Sequence, residues 1–180
     1  MKNRTVRSGD HAQGPEAAPV TLLEYGDYEC PYCRQAYLVV KAVQRSMGSK
    51  LRFAFRDFPL IDLHPHALAA ACAAEAAALQ GKFWEMTDAL FEQEYGLGLP
   101  ALVGYAEELE LDMEVFTYDL RSAGILVRVQ ADVEKGLRDG VHGTPTFFVN
   151  GAPLNGPWKE MLPALQQAAS GHSRRARASQ

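Results

Sequence analysis

Two cysteines three positions apart carry the most reactive chemistry open to this chain. They lie in Glu24-Tyr25-Gly26-Asp27-Tyr28-Glu29-Cys30-Pro31-Tyr32-Cys33. On a helix, positions i and i+3 share a face, so the two sulfurs can meet and bond. A helix N-terminus offers unpaired N–H groups and partial positive charge, both of which favour a thiolate at Cys30. Pro31 suits the first turn, where no N–H donor is needed. Cys-x-x-Cys also serves as half of a zinc site. Its place between a strand pattern and a helix pattern favours thiol–disulfide chemistry.

The elements that must hold this pair follow from hydrophobic periodicity. Val20 to Tyr25 reads as a short buried strand. Cys33 to about Met47 reads as a helix, with Ala36, Leu38, Val39, Val40, Ala42 and Val43 at the apolar positions and Gly48 as its stop. Leu51 to Phe58 alternates and is aromatic-rich, a second strand ended by Pro59. Strand–helix–strand implies a parallel pair with a right-handed crossover.

From His64 to Gly124 only helix signals appear. An Ala-rich helix opens at His64-Pro65-His66 and runs to Gln80. Phe83 to Phe91, a segment starting at Pro100 and one capped by Asp112 follow. A further helix runs through Ile125, Val129 and Val133. Strand character returns at Thr146-Phe147-Phe148-Val149, and Asn150-Gly151 is a strong hairpin turn leading to Ala152-Pro153-Leu154. Pro153 places that last strand at a sheet edge. A final helix opens at Gly156-Pro157. The sum is an α/β chain with one mixed four-stranded sheet covered by helices. Residues 1–63 and 125–180 form the sheet domain, and 64–124 an inserted α-helical block.

Composition narrows the function. The chain has 180 residues, 47% hydrophobic, enough for one core, and a net charge of −4 leaves no basic footprint for nucleic acid. No apolar run is long enough to insert in a membrane. Three cysteines, Cys30, Cys33 and Cys72, do not make a structural disulfide framework. Cys72 lies among alanines and reads as a small core residue. Lys2, Arg4 and Arg7 are followed by no apolar stretch, so the N-terminus does not read as a signal peptide. The expected location is the cytoplasm, or an extracytoplasmic space if a leader has been removed. The run from Ser170 to Gln180, with Arg174, Arg175 and Arg177, reads as a frayed tail.

With these residues in place, the chain resembles the DsbA-like thiol–disulfide oxidoreductases of the thioredoxin-fold superfamily. The resemblance rests on Cys30-Pro31-Tyr32-Cys33 after a strand, on Gly143-Thr144-Pro145-Thr146-Phe147-Phe148-Val149-Asn150-Gly151, and on the inserted helices. It covers roughly residues 20–169. It implies a thioredoxin-like fold and a redox centre made of the chain's own cysteines, with no bound cofactor.

The resemblance also implies roles. Cys30 is the attacking thiol and the more exposed sulfur; Cys33 is the buried partner that resolves a mixed disulfide. Pro31 and Tyr32 tune the potential and supply no cation. Asp27 and Glu29 would oppose a thiolate if close in space, which suggests an intermediate potential. Glu24, in an otherwise buried strand, is either an acid that moves the Cys33 proton or a strand-end carboxylate reaching solvent. Pro145 is expected to be cis opposite the dithiol, with Thr144 offering its backbone to an extended substrate and its hydroxyl to the thiols.

No metal is expected. His64-x-His66 is too closely spaced for a tetrahedral site, and no second cysteine pair exists. His64 and His66 read as the opening of a helix, and His142 as a loop residue. Phe83, Trp84, Met86 and Phe91 read as core or groove lining. Partners would be cysteine-containing proteins or peptides, with a thiol pool or a separate reductase or oxidase as redox partner. A cytoplasmic disulfide reductase or glutathione-linked exchanger is the alternative enzyme. A redox sensor or holdase is the non-enzymatic one.

Overall fold

The structure, a computed structural model, describes residues 4–178, with side chains described as far as Gly171. Lys2 and the last two residues of the tail, Ser179 and Gln180, lie outside the described residues, as do the side chains of Arg174, Arg175 and Arg177. The chain runs β1 (His11–Gln13), β2 (Val20–Gly26), α1 (Pro31–Met47), β3 (Leu51–Asp57), α2 (Ala67–Leu79), α3 (Phe83–Glu92), α4 (Leu99–Glu108), α5 (Met113–Asp119), α6 (Ala123–Asp139), β4 (Thr146–Val149), β5 (Ala152–Pro153) and α7 (Met161–Ala178).

The sheet has five strands in the order β1-β3-β2-β4-β5, one more than the sequence suggested. Only β2 and β3 pair in parallel; the other pairings are antiparallel. The additional strand, β1, is His-Ala-Gln and has no apolar alternation to announce it. It is held by side chains of the strand beside it. Arg56 of β3 is fully buried and donates to both carboxylate oxygens of Asp10 at 3.0 and 2.7 Å, to the Thr5 carbonyl at 3.0 Å and to the Tyr25 hydroxyl at 2.7 Å. Tyr25 in turn donates to Asp139 of α6 at 3.0 Å. The N-terminal segment is thus fixed to the sheet by buried charge as well as by packing of Val6 and Ala12 on the second core cluster and of His11 on Phe83.

Alternation along β2 sorts its residues to two faces. Leu22 joins the large core under α1, α2, α3 and α7, whereas Leu23 and Tyr25 join a smaller cluster with Phe58, Val141 and Phe148. Helix α6 crosses that second face closely. A Cβ on Gly136 would lie 2.6 Å from Phe58 and 3.1 Å from Tyr25, so a glycine is required there. At the β4–β5 hairpin, Asn150 and Gly151 have φ of 48° and 80°, as a primed turn demands, and β5 is the sheet edge that Pro153 implied.

Some boundaries and faces differ from the periodicity reading. Leu38 and Ala42 of α1 point to solvent, and the buried face is Cys33, Ala36, Val40, Val43 and Met47. Helix α2 begins at Ala67; His64-Pro65-His66 belongs to the turn before it. In the tail, the backbone of α7 is helical through Ala178. Alanines make α2 buried on nearly every side, which lets α3 and α6 pack closely against it.

Where α2 and α6 meet β3, three buried carboxylates, Asp57, Glu75 and Asp132, have oxygens within 4.8 Å of one another. Their charge is met from outside the cluster. Arg128 reaches Glu75 at 3.5 Å and Asp132 at 2.9 Å, Lys135 reaches Asp132 at 2.8 Å, and His11 reaches Glu75 at 3.0 Å. Burial, then the charges of Glu75 and Asp132, hold the Asp57 carboxyl well above its usual range.

Candidate active site

Strand β2 ends at Gly26, and a tight segment then delivers Cys30 to the N-cap of α1 with Pro31 in the first turn. The Cys30 side chain makes no capping bond, so its sulfur remains available above the helix N-terminus. Cys33 lies one turn inside. Both residues are buried, Cys30 at 3% exposure and Cys33 at 0%, so the expected contrast in exposure is present but small. Tyr32, between them, is 61% exposed.

The loop before β4 closes over the pair. The Thr144–Pro145 peptide bond is cis. The Cys30 thiol donates to the Thr144 carbonyl at 3.4 Å. Thr144 Oγ1 is buried and has no partner of hydrogen-bond geometry, yet the side chain is near enough to the Cys30 sulfur to favour its thiolate.

The two thiols are driven apart electrostatically. A hydrogen bond from the Cys33 thiol is the largest influence on Cys30; burial opposes it, and Thr144 and the backbone N–H groups of Cys33 and Tyr32 add to it. The net effect lowers the Cys30 pKa to about 5. Burial pushes Cys33 far up, reinforced by its bond to Cys30 and by the charge of Glu24, while a 3.5 Å bond from the Asp27 N–H to its sulfur works the other way. At neutral pH this gives one thiolate nucleophile and one thiol that keeps its proton.

Glu24 is the nearby group able to take that proton. Its place between Phe55 and Phe147 in the sheet buries it to 2% exposure, which excludes the solvent-reaching alternative. Burial, then the charge of Cys30, raises its pKa to about 8. Glu24 Oε1 has no hydrogen-bond partner. A cavity of about 20 Å³ adjoins it, lined also by Val40, Gln44, Phe55, Thr87 and Phe91. That volume is enough for one water, for which a buried carboxyl oxygen is a ready partner. Trp84 and Phe91 line the same cavity, while Phe83, Met86 and Phe91 are core.

The acidic residues flanking the motif have hydrogen-bond partners of their own. Asp27 is buried. Its Oδ1 accepts from the Glu29 N–H at 2.8 Å, and its Oδ2 accepts from the Leu60 N–H at 2.9 Å and faces His64 Nδ1 at 2.7 Å. Glu29 accepts from the His66 N–H at 2.6 Å. Both carboxylates are therefore engaged with the loop before α2. His64, read from the sequence as part of a helix opening, is the site residue that was missed. His142 is exposed in the loop before Pro145.

Comparison with known proteins bears on the fold. The family model described as Thioredoxin matches residues 7–166. A thioredoxin-like oxidoreductase from Silicibacter pomeroyi is 28% identical, with 96% of this chain and 94% of that one covered and a TM-score of 0.78. Wolbachia pipientis alpha-DsbA1 superposes with a TM-score of 0.82 over 95% of this chain and 96% of that one, at 20% identity. Among curated sequences, Na(+)/H(+) antiporter NhaA 1 of Salinispora arenicola is 45% identical over 161 residues, which are 89% of this chain and 24% of that protein. The chain thus spans about a quarter of the length of such relatives, and no helix among the described residues is long and apolar enough to cross a membrane. The superposition on alpha-DsbA1 shows a shared fold, and the 28% identical neighbour is a thioredoxin-like oxidoreductase. The chain belongs to the thioredoxin family.

Proposed function

We propose that the protein exchanges disulfides with cysteine-containing proteins or peptides through Cys30 and Cys33. The observation that carries this reading is the placement of Cys30 at the N-cap of α1, one turn from Cys33 and 3.4 Å from the Thr144 carbonyl of the loop that closes over the pair. In the reducing direction the Cys30 thiolate attacks one sulfur of a substrate disulfide. A mixed disulfide forms and one substrate thiolate leaves. Cys33 then loses its proton and attacks Cys30 Sγ, which closes the Cys30–Cys33 disulfide and expels the second substrate thiolate. Two electrons pass to the substrate. In the oxidising direction every step reverses, and the protein dithiol is reoxidised by a separate disulfide or oxidase. An extended substrate strand would pair with the Thr144 backbone, and the exposed side chains of Tyr32, Ile61 and Leu63 would form its apolar rim.

Stabilising the Cys30 thiolate stabilises the reduced form, so a pKa of about 5 favours a more oxidising pair than an ordinary thiol would give. The test is catalysed exchange with insulin or a cysteine-containing model peptide. Turnover by the wild type that is absent from Cys30→Ser supports the reading. Wild-type rates equal to the uncatalysed reaction would reject it.

Glu24 is assigned the Cys33 proton. Glu24→Gln is expected to slow resolution of the mixed disulfide by about 10²-fold, the usual scale for a lost acid–base group. The wild-type dependence on a group near pH 8 should vanish with it. The same substitution has a stability signature of opposite sign. With its folded pKa raised from 4.5 to about 8, Glu24 stays protonated in the folded state while the unfolded chain ionises. Stability is complete below pH 4.5, falls through that window and is fully lost near pH 8. Glu24→Gln is therefore expected to be stabilising at pH 8 and nearly neutral at pH 4. Urea midpoints at the two pH values check this, and equal effects at both would remove Glu24 from the buried-acid role.

A further inference from the structure

The dithiol loop lacks a cation of its own. Pro31 and Tyr32 carry none, Arg34 is turned to the Glu92 carbonyl at 3.0 Å, and Lys41 is paired with Asp88 at 2.6 Å. The fold brings a basic side chain from elsewhere. The loop between β3 and α2 is tied to the segment ahead of Cys30 at three points, by the Leu60 N–H and His64 Nδ1 on Asp27 and by the His66 N–H on Glu29. Asp27 is the joint. Its carbonyl accepts the Cys30 N–H at 3.1 Å, its N–H meets Cys33 Sγ at 3.5 Å, and its carboxylate holds the imidazole at 2.7 Å. The His64 side chain is 18% exposed and that of Asp27 fully buried, which limits screening of this pair by solvent.

We propose that the His64 imidazolium is the cation that stabilises the Cys30 thiolate, with Asp27 as the residue that holds it in place. The role is electrostatic and positional; no bond to substrate is involved. The proposal rests on Cys30–Cys33 being the redox pair. The groups acting on the ring are consistent with it. Burial works against the charged form, but the Asp27 hydrogen bond and the charges of Asp27, Cys30 and Glu29 outweigh it and raise the His64 pKa. Because coupling is reciprocal, what the thiolate does for His64, His64 does for the thiolate.

A sequence-remote histidine would then help to make the pair oxidising, in place of a cation inside the Cys-x-x-Cys motif. Its influence has a pH signature. It is complete while the ring is protonated and disappears as pH rises through the raised folded-state pKa of His64. His64→Gln keeps an N–H for Asp27 but loses the charge. Ultraviolet titration of the Cys30 thiolate in this variant is expected to show an acidity about tenfold weaker, within the range for loss of a neighbouring charge. Equilibrium with glutathione should move about tenfold toward the disulfide, about 30 mV more reducing. His64→Lys should recover much of both changes.

A second readout needs no variant. The His64 ring, followed by NMR, should titrate at higher pH in the reduced protein than in the oxidised one. Identical ring titrations in the two redox states, or an unchanged Cys30 titration in folded His64→Gln, would overturn the proposal. The thiolate titration requires no turnover. A shift without catalysed exchange would therefore count against the oxidoreductase reading alone, and exchange without a shift against His64 alone.

Discussion

Cys33→Ser is expected to accumulate a mixed disulfide between Cys30 and a cysteine-containing substrate, while Cys30→Ser forms none. The reason lies in how the two sulfurs are placed. Cys30 sits at a helix N-cap with a pKa near 5 and is the thiol ionised at neutral pH. Cys33 is fully buried and keeps its proton until the Cys30 sulfur is bonded to something else. Removing the nucleophile should lower exchange by at least about 10³-fold, since no other cysteine can replace it. Cys72 cannot do so, because burial raises its pKa to about 11. Removing the resolving thiol leaves attack intact and blocks escape. Non-reducing electrophoresis and intact mass of each variant after incubation with an oxidised peptide check this. An adduct on Cys30→Ser, or equal adducts on both variants, would reverse the assignment.

The second large effect is on stability. Arg56→Ala should destabilise the fold by about 3–5 kcal/mol, the range for breaking a buried ion pair by removing one partner. Arg56 is fully buried, and its loss would leave the Asp10 carboxylate without its buried cation and take one donor each from the Tyr25 hydroxyl and the Thr5 carbonyl. At this chain length such a loss lowers Tm by about 10 °C. Strand β1 and the segment before it should loosen first, because Arg56 joins that segment to β3 at Asp10 and Thr5, and amide exchange there should quicken more than in β2. A destabilisation below about 1 kcal/mol would place the network in the class of weak surface pairs. Arg56→Met separates charge from volume. It should remain destabilising, because the carboxylate of Asp10 is left buried without its partner.

Much of the site could be read from the chain because its parts are local. The Cys30-Pro31-Tyr32-Cys33 run, the strand before it and the Thr144-Pro145 loop each announce themselves within about ten residues, and the structure brings them together. Glu24 could be singled out because a carboxylate inside an apolar strand is unusual, although choosing between a buried acid and an exposed one required its neighbours Phe55 and Phe147. The parts that could not be read are those fixed by contacts distant in sequence. His64 and Asp27 are 37 positions apart, and nothing in either segment states that they meet. The same holds for β1, whose three residues lack alternation and follow the Asp10 held by Arg56, and for Asp57, a strand-end residue brought beside Glu75 and Asp132 of two helices. Leu38 misled for the opposite reason. Its apolar type suited the helix face pattern, but α1 meets the sheet through a narrower stripe.

The central claim is that Cys30 and Cys33 interconvert between dithiol and disulfide at a potential shifted by a stabilised Cys30 thiolate. Equilibration of the wild-type protein in glutathione buffers, with alkylation and mass mapping of all three cysteines, tests it most directly. The expected result is a single Cys30–Cys33 disulfide that forms and breaks reversibly, with Cys72 a free thiol throughout that takes the label once the quenched protein is unfolded, at a potential between about −230 and −120 mV. A pair that stays reduced across every buffer, or that equilibrates near about −270 mV, would contradict the thiolate stabilisation on which the account depends.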